Sequence, residues 1–199
     1  MKKIIELFDP RTLRALAHPT RLALVGLLRQ HGTLTATQAA RLLGLNSGAC
    51  SFHLRQLAKY GLVEEEPTPG RQKPWRATAE ATSWPAVATE PEMTAAVQLL
   101  SSVLVERYAE IMLSWVHRRP DEPEVWQRAG SLGDVLLHIT ADELNDLMRQ
   151  IERLVEPFER RVFEPASRPP GSRPVTILQA AIPLNAAGEA EREKGQKLP

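Results

Sequence analysis

One stretch, from Thr35 to Gly61, constrains the fold of this chain more than any other. It reads TATQAARLLGLNSGACSFHLRQLAKYG. Thr35 is a suitable helix N-cap, and Gln38 three residues later completes a capping box. Gly44 then ends the helix, because glycine fits the left-handed position that follows a last helical turn. The pattern predicts a short helix and a tight turn, with an apolar face and an apolar plug formed by Ala39, Leu42, Leu43 and Leu45.

A second helix is predicted directly after this turn. Asn46 or Ser47 caps it, and Gly61 ends it. Its buried face has the spacing of an amphipathic helix and consists of Cys50, Leu54 and Leu57. Its outward face has no acidic residue and consists of Ser47, Ala49, Ser51, Phe52, His53, Arg55 and Gln56. This is a helix-turn-helix pattern, whose second helix enters the DNA major groove. An acid-free face suits a groove lined by phosphates.

The segments after Gly61 distinguish this pattern from an ordinary helical hairpin. A short strand is predicted over residues 62–66 and a second one over residues 74–78, and a turn-rich basic loop joins them. Thr33 and Leu34 are expected to add an edge strand. Helix, strand, basic loop and strand make a winged helix. The wing would place Arg71 and Lys73 near the DNA backbone or the minor groove.

Position alone predicts what individual side chains of the second helix would contact. Ser51 could donate to a phosphate, and Ala49 and Phe52 offer apolar contact to thymine methyl groups. Arg55 or Gln56 could read guanine or adenine. His53 either donates to a phosphate or packs against the turn.

Two sequence signatures carry a family resemblance. The run LRALAHPTRL from Leu13 to Leu22 resembles the opening of the arsenic-repressor (ArsR) family of winged-helix regulators. The run SFHLRQL from Ser51, followed by Gly61-Leu-Val, is similar to the recognition helix of that family. The resemblance covers roughly the first 80 residues. It implies a dimeric transcriptional regulator, often a repressor, and leaves the sensed signal undefined.

The charge of the chain is divided between its two halves. Residues 1–79 hold 12 basic and 5 acidic side chains, a net charge of +7, whereas residues 80–199 hold 13 and 19, a net charge of −6. This division is typical of a basic nucleic-acid-binding part joined to an acidic part with another role. The single cysteine, the short N-terminal apolar run and the lack of a membrane-length apolar stretch favour a cytoplasmic protein without membrane contact.

Helical patterns continue through most of the remaining chain. Residues 1–7 are expected to form a helix or a strand, and Asp9-Pro10 and Pro19 begin two helices. A domain boundary is predicted over residues 79–88. Thr89 opens a long helix to about residue 118, a short helix covers 124–129, and Thr140 opens another long helix that contains Pro157. A strand is predicted over 174–183 and a disordered tail over 186–199.

These patterns predict a mainly α fold with a small β wing. Residues 8–79 form the winged helix-turn-helix, and residues 89–163 form a helical dimerisation domain followed by the C-terminal strand. Long amphipathic helices need a partner surface, so we expect a homodimer, although packing within one chain is the alternative. A pocket for a small apolar effector is predicted among five side chains, which also suit a plain core: Tyr108, Met112, Trp115, Trp126 and Met148.

Other classes of site find little support in the sequence. A soft-metal site needs several thiolates, and Cys50 is alone on a predicted buried face, so we expect no metal and no cofactor. No catalytic motif is present, so we expect no enzyme. The sequence favours a homodimeric regulator that binds double-stranded DNA, most often as a repressor. The competing class is a winged-helix protein-interaction module that does not bind DNA.

Overall fold

The computed structural model describes residues 3–68 and 73–184. Within these residues the chain is mainly helical with two small sheets. In chain order the elements are β1 Ile4–Glu6, α1 Pro10–Leu16, α2 Pro19–His31, β2 Leu34–Thr35, α3 Ala36–Leu43, α4 Ser47–Lys59, β3 Val63–Glu65, β4 Pro74–Ala77, β5 Ala81–Ser83, α5 Pro91–Arg118, α6 Glu124–Ala129 and α7 Ala141–Phe163. The predicted fold class, mainly α with a β wing, is confirmed.

The helix-turn-helix forms through local contacts that the sequence predicts. The Thr35 side chain accepts a hydrogen bond from the Gln38 N–H, and the Gln38 side chain accepts one from the Thr35 N–H, so the capping box is complete. Gly44 adopts φ 66° and ψ 29°, which is the left-handed conformation expected after α3. Asn46 caps α4, because its Oδ1 accepts from the Ala49 N–H at 2.7 Å. These bonds fix where α3 ends and where α4 begins.

Two predicted apolar positions of the helix-turn-helix are not covered in this chain. Leu42 is 52 % exposed and Leu45 is 42 % exposed, so neither is the buried plug that the pattern suggested. The buried residues of α3 are Ala39 and Ala40 instead. Small side chains serve here because α3 and α4 pack closely against each other.

The wing is a three-stranded antiparallel sheet in the order β2-β4-β3. Leu34 pairs with Trp75, and Val63 pairs with Ala77. The predicted edge strand near Leu34 is therefore confirmed, although it begins one residue later. Trp75 is buried beneath this sheet and fastens the wing to the helical core.

A second, two-stranded sheet was not predicted. β1 pairs in parallel with β5, so that Ile4 lies opposite Ala81. Arg29 of α2 supports this pair, since its guanidinium donates to the Ala79 carbonyl at 3.0 Å and to Thr82 Oγ at 2.6 Å. Each strand has only three residues, which is too short to show an alternating pattern in sequence.

The buried core belongs mostly to the first half of the chain. The largest fully buried side chains are Leu13, Leu24, Leu28, Leu54, Leu57, Leu100, Val63 and Cys50. Helix α5 joins this core, because it packs against α1 and buries Ala96 and Leu100 completely. The boundary predicted over residues 79–88 therefore does not separate two independent cores.

The rest of the second half is much more open. None of the described side chains of α7 is buried, although the capping box of this helix at Thr140 and Glu143 forms as predicted. The cap of α5 differs from the prediction, since Glu90 rather than Thr89 is the N-cap and makes no side-chain hydrogen bond. Many apolar side chains stay exposed, including Val105 at 66 % and Leu154 at 73 %.

The predicted strand over residues 174–183 is wrong for this single chain. Residues 172–184 have no regular secondary structure, and all except Leu178 are exposed. A strand needs a neighbouring sheet edge for its backbone groups, and no described strand lies beside this segment. The predicted tail at 186–199 lies outside the described residues. Among the described helices none is long and apolar enough to cross a membrane.

Candidate nucleic-acid interface

The outer side of α4 is a ridge of exposed side chains. Ser47 and Arg55 are exposed, and Phe52, at 51 % exposure, stands out from the surface. The predicted contact residues Ala49, Ser51 and Gln56 are half-buried at the flanks of the ridge. The opposite side of the helix is fixed by Cys50, Leu54 and Leu57, which are fully buried. The core therefore sets the direction in which the ridge points.

A cleft of about 610 Å³ lies on one side of this ridge, and we call it the wing-side cleft. It is lined by Thr35, Ala36, Thr37, Gln38, Arg41, Ser51, Arg55, Glu65, Lys73 and Trp75. The lining brings together the first turn of α3, one flank of α4 and the wing. Three predicted residues, Ser51, Arg55 and Lys73, thus share one cleft.

The wing-side cleft has the chemistry of a phosphate-binding surface. Arg41, Arg55 and Lys73 supply three cations. The first turn of α3 adds backbone N–H groups at the positive end of a helix dipole. Among the described lining residues Glu65 is the single acidic side chain, and it pairs with Lys73 at 3.2 Å. Arg71, the other predicted wing cation, lies outside the described residues.

A smaller cleft of about 320 Å³ lies on the other side of the ridge, and we call it the arginine cleft. Its lining residues are Arg11, Arg14, Ala15, Arg21, Gln56 and Tyr60. Among the predicted contact residues only Gln56 belongs to it. Within the part of the chain that the structure describes, no acidic side chain lines this cleft.

His53 lies on the inner flank of α4, away from the ridge. Its ring stacks against that of His18, with the centroids 4.6 Å apart, and lies edge-on to Phe52. Its Nδ1 atom is buried without a hydrogen-bond partner among the described residues. Burial, and then the positive charge of Arg21, lower the pKa of His53. The packing interpretation of His53 therefore has direct contacts in this structure, whereas its contact with phosphate stays a prediction.

Cys50 is positioned as a core residue. Its side chain is completely buried, and burial raises the pKa of the thiol. A thiol is nucleophilic as the thiolate, so this environment opposes reactivity. Within residues 3–68 and 73–184, no three His, Cys, Asp or Glu side chains are grouped so as to hold a metal ion.

The five residues of the predicted effector pocket are spread over three helices. Tyr108, Met112 and Trp115 belong to α5, whereas Trp126 belongs to α6 and Met148 to α7. Trp115 packs closely on Gly130, and the guanidinium of Arg173 lies 5.2 Å from the Trp126 ring. Neither of the two clefts described above contains any of the five. The pocket stays a prediction.

Several residues of the two clefts were missed by sequence reasoning. Arg41 and the first turn of α3 line the wing-side cleft because the turn at Gly44 sets α3 beside α4. The arginine cleft is lined by residues of α1, α2 and α4, so no local sequence pattern predicts it. One signal was present in the sequence, because Arg11 and Arg14 are three residues apart and share one face of α1.

Comparison with known proteins agrees with this geometry. The sequence model of a family described as "Helix-turn-helix domain" matches residues 16–66, which span α2 to β3. No curated protein matches the chain.

Three of the solved structures to which the chain is similar come from bacteria. The homodimeric winged helix-turn-helix DNA-binding domain of Mb0332 from Mycobacterium bovis, described as a possible ArsR-family transcriptional regulator, is 24 % identical, with 50 % of this chain and 76 % of that chain covered and a TM-score of 0.32. YusO from Bacillus subtilis is 15 % identical, with coverages of 74 % and 83 % and a TM-score of 0.32. RV1404 from Mycobacterium tuberculosis is 14 % identical, with the same coverages and a TM-score of 0.29.

The class of the protein follows from the matched residues, the two signatures and the wing. Residues 16–66 carry the helix-turn-helix, and β2, β4 and β3 add the wing beside it. The chain therefore contains a winged helix-turn-helix domain, and its two signatures resemble those of ArsR-type regulators.

Proposed function

We propose that this protein binds specific double-stranded DNA sequences as a homodimer and represses transcription. The observation that carries the proposal is the ridge of α4 with the wing-side cleft beside it. Arg41, Arg55 and Lys73 converge there with the first turn of α3, and Glu65 is the only acidic group among the described lining residues. Such a surface can hold a phosphate backbone while the ridge lies in the major groove. Repression rests on the resemblance of the two sequence signatures to ArsR-type regulators.

The helices of the second half support a dimer. One face of α5 packs in the winged core through Ala96 and Leu100. A second row of side chains on α5 repeats at steps of four and three and consists of Gln98, Ser102, Val105, Ala109, Met112 and Val116. All of these except Ala109 are exposed in the single chain. This is the spacing by which helices pair in coiled coils, and we call the row the outer seam of α5.

Helix α7 offers a second apolar stripe. Leu154, Phe158 and Val162 are exposed at 73 %, 59 % and 40 %. Exposed apolar rows of this kind mark contact surfaces in soluble proteins. A single helix-turn-helix reads half of a site, and a two-fold dimer places two recognition helices one turn of DNA apart. A second copy of this chain would cover these exposed rows and would supply the second α4 helix that a two-half-site operator requires.

The proposal includes regulation by a small apolar ligand. The aromatic and methionine side chains of α5, α6 and α7 are only partly covered in the single chain. A ligand that binds between the helices of a dimer would be enclosed by them. Trp115 and Trp126 are the natural reporters, so their fluorescence during titration with apolar compounds tests this part. We place the protein in the cytoplasm, where a bacterial-type regulator meets DNA.

The main test is selection of bound sequences from a random DNA pool at two salt concentrations. An enriched palindrome with half-sites about one helical turn apart, lost as salt rises, is the expected result. Arg55 lines the wing-side cleft and is also exposed on α4, so it can reach a phosphate or a base edge. If Arg55 contacts a base, Arg55→Ala should lose about 1–3 kcal/mol of discrimination at one base position and keep weak binding. A uniform loss of affinity across all sequences would assign Arg55 to a phosphate instead. Weak binding to every sequence with a flat salt response would instead favour the protein-interaction module. A reporter gene under the selected operator tests the sign of regulation.

A further inference from the structure

The ridge of α4 separates two basic clefts rather than bordering one. Ser51 and Arg55, one turn apart, line the wing-side cleft, whereas Gln56 and Tyr60, also one turn apart, line the arginine cleft. At about 100° per residue these two pairs lie roughly 140° apart around the helix axis. Phe52 lies between them and is exposed. The helix thus has a positively charged cleft along each flank.

Arg11 is the available cation of the arginine cleft. Its side chain is exposed, and no salt bridge of its guanidinium within 4.0 Å is found among the described residues, although the hydrogen bond from its backbone N–H and then its charge lower the pKa of the Asp9 carboxylate. Asp9 lies two residues away, but its Oδ1 accepts from the Arg11 backbone N–H as the cap of α1. The guanidinium of Arg11 is therefore accessible to an anion, and it is not held in a close ion pair.

The two other arginines have structural partners that fix their positions. Arg14 pairs with Glu92 at 2.7 Å, and this contact ties α1 to the start of α5. Arg21 donates through Nε to the Ala15 carbonyl and so closes the end of α1. Their charges still act on the cleft, and the hydroxyl of Tyr60 adds a neutral donor. This donor set suits a phosphate oxygen.

We propose that the arginine cleft binds a backbone phosphate of the DNA strand that lies across the major groove from the wing-side cleft. This inference rests on the proposed function. The major groove is about 12 Å wide and is bordered by one backbone on each side. A helix that fills the groove therefore meets both backbones, one along each flank. The wing-side cleft takes the first backbone, and Arg11 with Tyr60 takes the second.

The first test is the salt dependence of binding to the selected operator. Arg11→Ala should weaken binding about three- to tenfold per half-site at low salt. Because the dimer loses one phosphate contact in each half-site, the slope of log K against log salt should fall by about 1.8, which is twice the value of one contact. Arg11→Lys should retain the slope. Arg153→Ala, at an exposed arginine of α7 outside both clefts, removes the same charge and should change neither quantity. Sequence preference should stay the same in all three variants, because phosphate contacts carry no base information.

A second test assigns the strand. Single phosphates of the operator are replaced by neutral methylphosphonates, one position at a time on each strand. In each half-site, replacement of one phosphate on each strand should weaken binding of the wild-type protein. Arg11→Ala should become insensitive at one of these positions and stay sensitive at the position on the other strand. Lys73→Ala is measured on the same set of methylphosphonate operators. If Lys73→Ala and Arg11→Ala both lose sensitivity at positions on the same strand, both clefts contact one strand and the assignment is overturned.

The outcomes separate this inference from the proposed function. If the wild-type protein selects an operator but Arg11→Ala has an unchanged slope and affinity, the arginine cleft does not contact DNA and only this inference fails. If inorganic phosphate raises the melting temperature of the free wild-type protein but not of Arg11→Ala, and the DNA slope is unchanged, the cleft holds a free anion instead. If the wild-type protein binds no DNA at any salt concentration, both proposals fail.

Discussion

The rings of His18 and His53 stack with their centroids 4.6 Å apart, and this contact joins α2 to the inner flank of the recognition helix. His18 is also the N-cap of α2, since its Nδ1 accepts a hydrogen bond from the Thr20 N–H at 3.1 Å. A nitrogen that accepts this bond must be unprotonated. His53 Nδ1 is buried, and no described residue bonds to it. These surroundings therefore favour the neutral form of both rings.

The histidine pair should make stability depend on pH. Burial is the main cause that lowers the pKa of each ring below its ordinary value of 6.5, and the charge of Arg21 is the next. The unfolded chain then takes up protons first as pH falls. Stability is full above about pH 6.5 and is lost as pH falls through the lower pKa values of the folded state. Urea unfolding between about pH 8 and pH 5 measures this loss.

A matched pair of variants assigns that loss to the stacked rings. His53→Gln should flatten the dependence of unfolding free energy on pH, because one of the two groups no longer titrates. His138→Gln replaces an exposed histidine and should leave the dependence unchanged. Equal pH dependence in the wild-type protein and in His53→Gln would show that the stacked pair is not its source.

Removing the acid of the wing-side cleft should strengthen DNA binding. Glu65→Gln frees Lys73 from its ion pair and removes the negative charge nearest to a bound phosphate. We expect an affinity gain of about two- to fivefold per half-site at low salt, the size of one exposed charge interaction. Fluorescence anisotropy with the selected operator measures it. The control is Glu64→Gln, since Glu64 pairs with Arg76 and does not line the cleft. Equal effects of both substitutions would mean that net charge alone acts.

Gly44 should be costly to replace although nothing crowds it. Its φ of 66° is a conformation that residues with a Cβ rarely adopt, and no described atom lies within 4 Å of the point that a Cβ would occupy. Gly44→Ala should therefore lower the unfolding free energy by about 1–2 kcal/mol through backbone strain alone. Gly133 has equally open surroundings and no positive φ. Gly133→Ala should leave stability unchanged in the same urea titration, and similar losses at both positions would contradict the strain argument.

The outer seam of α5 should control assembly. Val105→Glu places a carboxylate in the middle of the seam, where burial of an unpaired charge is strongly unfavourable. The dimer dissociation constant should rise at least about tenfold, while the winged core stays folded. Analytical ultracentrifugation gives the mass, and far-UV circular dichroism checks the fold. Glu106→Lys changes the charge of an exposed neighbouring position outside the seam and should leave the dimer intact. A Val105→Glu protein that stays dimeric would place the interface elsewhere.

The sequence predicted best what depends on neighbouring residues. The cap at Thr35, the cap at Asn46 or Ser47 and the turn at Gly44 are decided within a few positions, and the structure has Thr35, Asn46 and Gly44 in these roles. What depends on distant parts of the chain was missed. The pairing of β1 with β5 joins segments about eighty residues apart, and Leu42 looked buried only because its spacing suited a helix face.

The candidate site divides in the same way. Arg55 and Gln56 were predicted from their place on one helix, and the structure puts them on opposite flanks of the ridge. Arg11 belongs to the arginine cleft only because α1 folds against α4. The strand expected over 174–183 had a suitable pattern but no described sheet edge beside it, and pattern alone does not provide one.

Helix α5 is a single element of 28 residues that begins in the winged core and ends far from it. It is about 42 Å long at 1.5 Å per residue, so a tilt of about 10° at its far end displaces the near end by about 7 Å. In the proposed dimer it would act as a lever between the second half of the chain and the spacing of the two α4 helices. A small change in packing around Trp115 would then be enlarged into a change in the distance between the two α4 helices of the proposed dimer.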